Sequence, residues 1–381
     1  LLFTSGFEID AEAPFINNLL AAEPTTQFQS IWTRFYYKYI FKIRLMLNLW
    51  SVFKKTAHVL QDLGISSAND IVPRKTIDSV KLVNNFFGLE PARAVGPLIR
   101  FVGPILSTSY PDMDENTAEF LSSHKKIAYI AFGHHSIVTS DEFSQLLIAL
   151  IDSVEADIID GFIWVATKVP NFPKLVTSAR GTRVNVTDLI QNENKYSHFR
   201  FSKWAAQFAI LSHPSTAIFV THAGANSLFE SLYIGKKMLL HPYFGDQPYN
   251  AKMLHSAGVG LEYERDLLNA SDIAHKIGTI VRDEDGFFAN NLRRMSALVQ
   301  LKSKEAISNA VSTVEEVIFS SDGGLIPHLY PVSRNMSYIK ANNIDLQVLL
   351  TGAIVIVVVV FYYIFRVAYT HFYSERKQKT D

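Results

Sequence analysis

From Lys125 onward the apolar positions follow two alternating periods. "KIAYIAFG" is an unbroken apolar run closed by a turn residue, as a strand buried on both faces requires. "SDEFSQLLIALIDSVE" puts acidic residues in its first turn and apolar residues at helical spacing, which predicts a helix over 140–155. "GFIWVAT", "HFRFSKW", "AIFVTH" and "KKMLLHP" predict further strands, with helices over "SLFESLYIG" and "DQPYNAKMLHSAG" between them. Strand–helix alternation of this kind predicts a parallel sheet with helices on both faces over 125–320.

Residues 1–108 read as mostly helical. "FQSIWTRFYYKYIFKIRLMLNLWSVFKKTAHVLQDL" is rich in aromatics, with Arg34, Lys38, Lys42, Arg44, Lys54 and Lys55 interleaved. Two readings fit it: a long helix packed on a sheet, or a helix on a membrane surface whose basic residues reach up to the headgroups. "NNFFGLEPARAVGPLIRFVGPI" ends the segment with prolines and glycines, and the polar stretch over 109–124 reads as a linker. No internal repeat or low-complexity tract is apparent.

After a return segment over 321–345, "LQVLLTGAIVIVVVVFYYIF" carries no charge and is about as long as a bilayer-spanning helix needs to be. A transmembrane helix is therefore expected over 346–366. Arg366, Arg376, Lys377 and Lys379 follow it, so the positive-inside rule puts the tail over 367–381 in the cytosol and the body across the membrane. "KQKTD" matches the dilysine pattern for retrieval to the endoplasmic reticulum, and sequons at Asn185, Asn269 and Asn335 are compatible with a luminal body. Leu1 is not methionine, and the first ten residues have neither a basic nor a sustained apolar leader. Either a signal peptide has been removed or the sequence is incomplete.

Composition narrows the partners. The 381 residues are 48% hydrophobic, enough for two domains with sizeable cores. Lys+Arg and Asp+Glu both number 36, so no basic excess is present to neutralise phosphates, and nucleic acid is excluded as the main partner. Cysteine is absent, which removes disulfides, thiolate metal sites and a cysteine nucleophile. No G-x-S-x-G, H-E-x-x-H or strand-leading G-x-G-x-x-G occurs, which disfavours a hydrolase or dehydrogenase on a similar sheet.

Candidate chemistry centres on "FVTHAGANSLFESL", where an apolar run ending at His222 meets small residues and then a helix. A helix N-terminus at the carboxyl end of a strand offers unpaired N–H groups to an anion. Gly224 permits close approach, and Asn226 and Ser227 add donors; capping by Asn or Ser is the plainer reading. Glu230 lies on the same helix face as Ser227 and suits a ribose diol better than phosphate. Asp246 and Gln247 offer hydroxyl-binding groups at the next helix start, Asp246 alternatively as its N-cap. Upstream, Trp204 can stack on a base, or pack in the core, and Gln207 can read a pyrimidine edge.

The order and spacing of Trp204, Gln207, His222, Gly224, Asn226, Ser227, Glu230, Asp246 and Gln247 resemble the donor-binding box of the UDP-glycosyltransferase family. "LEPARAVGPLIRFVGPI" resembles the end of that family's N-terminal domain, and the span with its basic tail resembles its membrane-bound branch. The resemblance implies a GT-B-like α/β fold: two Rossmann-like domains, the first an incomplete acceptor-binding domain over 1–108 and the second a UDP-sugar domain over 125–320. It implies that Trp204 stacks on uracil, that Gln207 contacts the nucleoside, and that His222, Asn226 and Ser227 hold the diphosphate. Glu230 would hold the ribose, and Asp246 with Gln247 the transferred sugar. Gly133, His134 and Ser136 are possible phosphate contacts; His134 stands where serine is usual, Ala206 where proline is usual, and Ala223 and Ala225 replace the common residues beside Gly224.

The implied activity is inverting transfer of a hexosyl group from a UDP-sugar to a hydroxyl of a lipophilic small molecule or lipid, with no cofactor and no metal. The family's catalytic histidine and aspartate are expected in a region before Leu1, and His58, within an amphipathic stretch, is not the base. The alternative is a non-catalytic nucleotide-sugar-binding membrane protein or the donor half of a split transferase, and homo-oligomers are compatible with either.

Overall fold

The computed structural model describes residues 2–4, 25–64, 79–165, 172–191, 196–263 and 268–378. The chain forms two compact units, Leu1–Leu325 and Ile326–Asp381.

The first unit carries the sheet that the alternation predicts. Its strands are β4 (Ile127–Ala131), β5 (Gly161–Val165), β8 (Phe199–Ser202), β9 (Thr216–Thr221), β10 (Met238–Leu240) and β11 (Gly260–Glu262), all parallel, in the order β11-β10-β9-β4-β5-β8. Alternate residues along each strand enter different cores. Ala128, Ile130, Phe162, Trp164, Ile218 and Val220 face one side; Ile127, Tyr129, Ile163 and Phe219 face the other. The first face is covered by α4 (Ser140–Glu155) and α9 (Ala270–Arg282). The second is covered by α3 (Glu115–Ser122), α6 (Gln207–Ser212), α7 (Ala225–Ile234), α8 (Gln247–Ser256) and α10 (Phe287–Ser320). Burial on both faces explains why these strands read as continuous apolar runs. A hairpin of β6 (Leu175–Thr177) and β7 (Arg183–Asn185), followed by α5 (Val186–Gln191), completes this region.

The early residues differ from the mostly helical expectation. β1 (Leu2–Thr4), β2 (Lys81–Val83) and β3 (Ile99–Phe101) form a small parallel sheet. Each is three residues long and set among turn residues, too short to show a period. The helix predicted ahead of β2 is present as α1 (Ile31–Phe35), a π-helical turn (Tyr36–Ile40) and α2 (Phe41–Asp62). None of its described side chains is buried by the described residues. The polar stretch over 109–124 contains α3, which Asp114 caps by accepting from Thr117 N–H at 2.9 Å, and which buries Phe120 and Leu121. Altogether the fold is of the GT-B-like α/β class, with a six-stranded Rossmann-like parallel sheet preceded by a small parallel sheet of three strands.

The segment between β2 and β3 ties the small sheet to the large one. Phe86 and Leu89 enter the second core, Phe86 against Phe229. Beside them Arg93 and Glu90 pair at 2.8 Å with both side chains wholly buried, and Asn85 donates to Glu90 at 3.0 Å. The Arg93 guanidinium also lies over the Phe87 and Phe101 rings. From the other direction, Glu316 near the end of α10 meets Arg100 of β3 at 3.4 Å.

In the second unit, two 3₁₀ turns and α11 (Tyr338–Ala341) lead to α12 (Ile344–Gln378). Its stretch Ile344–Tyr369 is long and apolar enough to cross a membrane, and none of it is buried. The helix continues past the expected end at 366, because nothing in "RVAYTHFYSERKQ" breaks it. Lys379 of the dilysine pattern, and expected helical residues over 5–24 and 65–78, lie outside the described residues.

The Glu90–Arg93 pair makes the fold testable. Arg93→Met leaves a buried carboxylate uncompensated and should destabilise the first unit by about 3–5 kcal/mol in urea unfolding followed by tryptophan fluorescence. Adding Glu90→Gln should recover most of the loss; a single variant as stable as the parent would show that the pair contributes nothing.

Candidate functional site

In an open parallel sheet the crevice lies where strand order reverses, at the carboxyl ends of the strands. Here the reversal falls between β4 and β9, because the chain runs outward from β4 to β8 and then returns to the other side of β4. A cleft of about 650 Å³ opens at that point. All the residues predicted from sequence line it: Gly133, His134 and Ser136 after β4, Trp204 and Gln207 after β8, His222, Gly224, Asn226, Ser227 and Glu230 after β9, and Asp246 and Gln247 after β10. A larger groove of about 860 Å³ lies elsewhere, among α4, α9 and the turn before α10. It includes the end of α4 and the residues just before β5, the amino edge of the sheet, where such folds do not bind their ligands.

The turn after β9 is built by steric necessity. A Cβ on Gly224 would collide with the His222 ring, and one on Gly133 would stand 2.9 Å from His222 Nε2. The imidazole therefore sits between two glycine backbones from different loops. Ala223 between them is buried and has a φ of 62°, and its carbonyl accepts from Asn250 Nδ2 at 2.9 Å. Gly224 is the N-cap of α7, and no side chain caps the helix. The plainer capping role for Asn226 and Ser227 is thus not realised, because both lie inside the first turn. The first N–H groups of α7 lack intrahelical partners and face the cleft lining.

Burial pushes the His222 imidazole down to about 4, against the opposing pull of the Ala131 backbone and of Asp246. It is neutral at physiological pH, with one N–H to donate. Opposite it, Ser136 Oγ is buried and has no hydrogen-bond partner, while His134 and His135 are exposed. That buried hydroxyl on the cleft lining is a donor available to a ligand.

At the other end, Gln207 Nε2 donates to Glu230 Oε2 at 2.7 Å and to Ser227 Oγ at 3.2 Å. Burial raises the Glu230 carboxyl above its ordinary range, opposed by the Gln207 hydrogen bond. Trp204 is 59% exposed, so it is not packed in the core. Ala206, where proline is usual, has a φ of −72°, which is what proline would impose. Asp246 occupies the N-cap of α8 without capping it; its Oδ2 accepts from Asn250 Nδ2 at 2.8 Å instead. Gln247 Oε1 accepts from the N–H groups of Tyr243 and Phe244, at 2.9 and 3.2 Å, and so fixes the loop ahead of it.

Several lining residues escaped the sequence reading. Lys203 brings a cation beside Trp204, and Tyr129 and Phe244 add aromatic walls. Tyr110, in the supposed linker, also lines the cleft and stacks on Phe208 with centroids 3.8 Å apart and planes 5° from parallel. Nothing local in "STSYPD" marks it. Beneath the cleft, His241 at the end of β10 meets Glu142 of α4 at 3.5 Å, both buried, with the Tyr263 ring stacked on the imidazole. Glu142 also accepts from Thr139 N–H at 2.6 Å in a capping box, so it joins the start of α4 to the strand that leads to Asp246.

The desolvated imidazole gives a signed pH dependence. An unfolded histidine titrates near 6.5 and His222 near 4, so between these values the unfolded chain takes up a proton that the folded chain refuses. This contribution to stability is complete above about pH 6.5 and declines as pH falls to about 4, by roughly 3 kcal/mol at most. His222→Gln should flatten that part of the acid limb in denaturant midpoints. Identical limbs in parent and variant would mean that the ring is solvated.

The chain is similar to known proteins over most of its length. The family described as UDP-glucoronosyl and UDP-glucosyl transferase matches residues 37–379. UDP-glycosyltransferase stmC of Aspergillus ustus is 36% identical over 297 residues, covering 72% of this chain and 54% of that protein. A UDP-glycosyltransferase of Talaromyces amestolkiae is 32% identical over 330 residues, covering 78% and 61%. UDP-glucuronosyltransferase 1A6 of Homo sapiens is 26% identical over 291 residues, covering 75% and 49%. The chain thus spans roughly half to three fifths of the length of these relatives. Among solved structures, apo UGT2 of Phytolacca americana aligns with a TM-score of 0.49 and 23% identity, over 62% of this chain and 55% of that one. With a match across most of its length, the chain belongs to the UDP-glucoronosyl and UDP-glucosyl transferase family.

Proposed function

We propose that the cleft binds a UDP-sugar, and that the protein to which this chain belongs transfers the hexosyl group to a hydroxyl of a lipophilic acceptor. The observation that carries this reading is the convergence of an uncapped helix N-terminus, a neutral imidazole, a buried unpartnered hydroxyl and a carboxylate at one switch point. Donors at one end and a diol acceptor at the other suit a nucleoside diphosphate.

In this reading uracil stacks on the exposed face of Trp204. The ribose diol donates to Glu230, where it takes over from the Gln207 amide, and Gln207 turns to the nucleoside. The diphosphate rests on the first N–H groups of α7, with His222, Asn226 and Ser227 on one side and Gly133, His134 and Ser136 on the other. Asp246 accepts from sugar hydroxyls. Gln247, whose oxygen holds the loop, keeps its NH₂ group for the same purpose.

The reaction is an in-line displacement. The acceptor oxygen forms its bond to the anomeric carbon as the bond from that carbon to the β-phosphate oxygen breaks, which inverts the centre. UDP leaves with the electron pair of that bond, and the acceptor proton passes to a base that is assigned to no residue here. Helix N–H groups and side-chain donors stabilise the charge that develops on the leaving diphosphate, a task they can perform without a divalent metal. The span α12 would hold the body on the luminal side of the endoplasmic reticulum membrane, with the basic tail in the cytosol.

Thermal melting of the detergent-solubilised chain tests the donor site. UDP at a hundredfold excess over its dissociation constant should add about 2.7 kcal/mol of stability. Glu230→Ala should weaken UDP about tenfold or more, because it removes charge-assisted hydrogen bonds. Melting curves that ignore UDP would refute the donor site. UDP binding without transfer to any hydroxyl acceptor, measured on the full-length protein, would leave the donor site standing and remove the transferase.

A further inference from the structure

A second buried hydroxyl, besides that of Ser136, belongs to the cleft lining. Tyr129 of β4 is 1% exposed, and its ring stacks on Phe219 of β9 with centroids 5.3 Å apart. It lines the cleft together with Gln207, Ser227 and Glu230. Among the described residues no hydrogen bond reaches its phenol oxygen. The described residues already enclose the side chain, so the cleft is its remaining opening. A buried donor left without an acceptor is rare in a native protein and calls for a use.

Its place in the fold selects the part of a ligand that it meets. The Tyr129 side chain lies on the second face of the sheet, among residues of α6 and α7, four residues short of the Gly133 turn. Glu230 lies about 9 Å along α7 from Gly224, at 1.5 Å per residue. Both are thus set back from the turns that gather the anion-binding N–H groups, on the side where Gln207 meets Glu230. Burial raises the Tyr129 phenol and the Glu230 carboxylate raises it further, so the hydroxyl keeps its proton. Burial and Glu230 raise Tyr110 as well, but its oxygen is hydrogen-bonded to the Ser107 backbone and its ring is stacked on Phe208. A ribose hydroxyl gives one proton and accepts another at the same oxygen, which suits a carboxylate on one side and a phenol on the other. On the donor-binding reading, we propose that the Tyr129 hydroxyl is a ribose contact: it donates to the oxygen of one diol hydroxyl while that hydroxyl donates to Glu230.

Tyr129→Phe removes the oxygen and keeps the ring on Phe219. Detergent-solubilised full chain, parent and variant, would be titrated calorimetrically with UDP, and 2′-deoxy-UDP and 3′-deoxy-UDP would be read by displacement of UDP. The variant should bind UDP about fivefold more weakly than the parent, as the loss of one hydrogen bond predicts. It should bind one of the two deoxy nucleotides as well as the parent does, because that nucleotide lacks the oxygen to which Tyr129 donates. An equal fall for all three nucleotides would mean that Tyr129 only packs. An unchanged UDP affinity would mean that its hydroxyl meets no ligand, and either result overturns the proposal. Without nucleotide the variant should melt no lower than the parent, since the phenol has no protein partner to lose. A markedly lower melting temperature would reveal such a partner and would overturn the proposal too. A parent that binds UDP keeps the donor site whichever way the variant falls, whereas a parent that binds no nucleotide removes the donor site and the ribose contact with it.

Discussion

The close approach of two glycine backbones to the His222 ring is the constraint on which the site depends. Gly133 closes β4 and Gly224 opens α7, and both must lack a Cβ for the imidazole to fit between them. That fit sets the separation of the two loops at the switch point. It also forces the chain to turn sharply at Ala223, whose left-handed backbone is held by Asn250. Asn250 in turn grips Asp246, so the loops after β4, β9 and β10 form one connected unit. The small residues between His222 and Asn226 follow from this geometry, and the open N-terminus of α7 follows with them.

A second layer of buried polar contacts keeps that unit in register with the sheet. Glu142 caps α4 with Thr139 and faces His241, while Gln247 holds the backbone of Tyr243 and Phe244. The ring of Tyr263 closes over His241 from β11's side of the sheet. Groups that are already hydrogen-bonded or stacked need little rearrangement when a ligand arrives, which is what a preorganised anion site requires.

The sheet beyond Lys125 was legible because its strands are buried on both faces and its helices on one. α4, with its acidic first turn and capping Thr139, matches the predicted range, β4 falls within its run, and β9 starts one residue before its own. β1 to β3 were not legible, since three residues cannot display a period. Nor was α3, whose core contribution rests on Phe120 and Leu121 inside an otherwise polar run. The gathering of the predicted residues in one cleft follows from their places at strand ends. Tyr110 could not be found in this way, because it enters the cleft only through its stacking on Phe208. The loss of α7's expected cap has a local cause: the turn at Ala223 puts Gly224, not Asn226, at the N-cap.

On the donor-binding reading, the Gln207–Glu230 hydrogen bond would give the site a selectivity of its own. Partial burial raises the Glu230 carboxyl above its ordinary range, and the hydrogen bond from the Gln207 amide opposes that shift. On the donor-binding reading, a ribose that enters must offer hydroxyls good enough to replace that amide. A diol can supply two donors to one carboxylate. A sugar lacking one of them would break the existing bond and leave a partly buried oxygen half-satisfied. Sites built around a hydroxyl reject analogues without it far more strongly than apolar pockets reject a missing methylene. On that reading Gln207 and Glu230 would together discriminate ribose from deoxyribose.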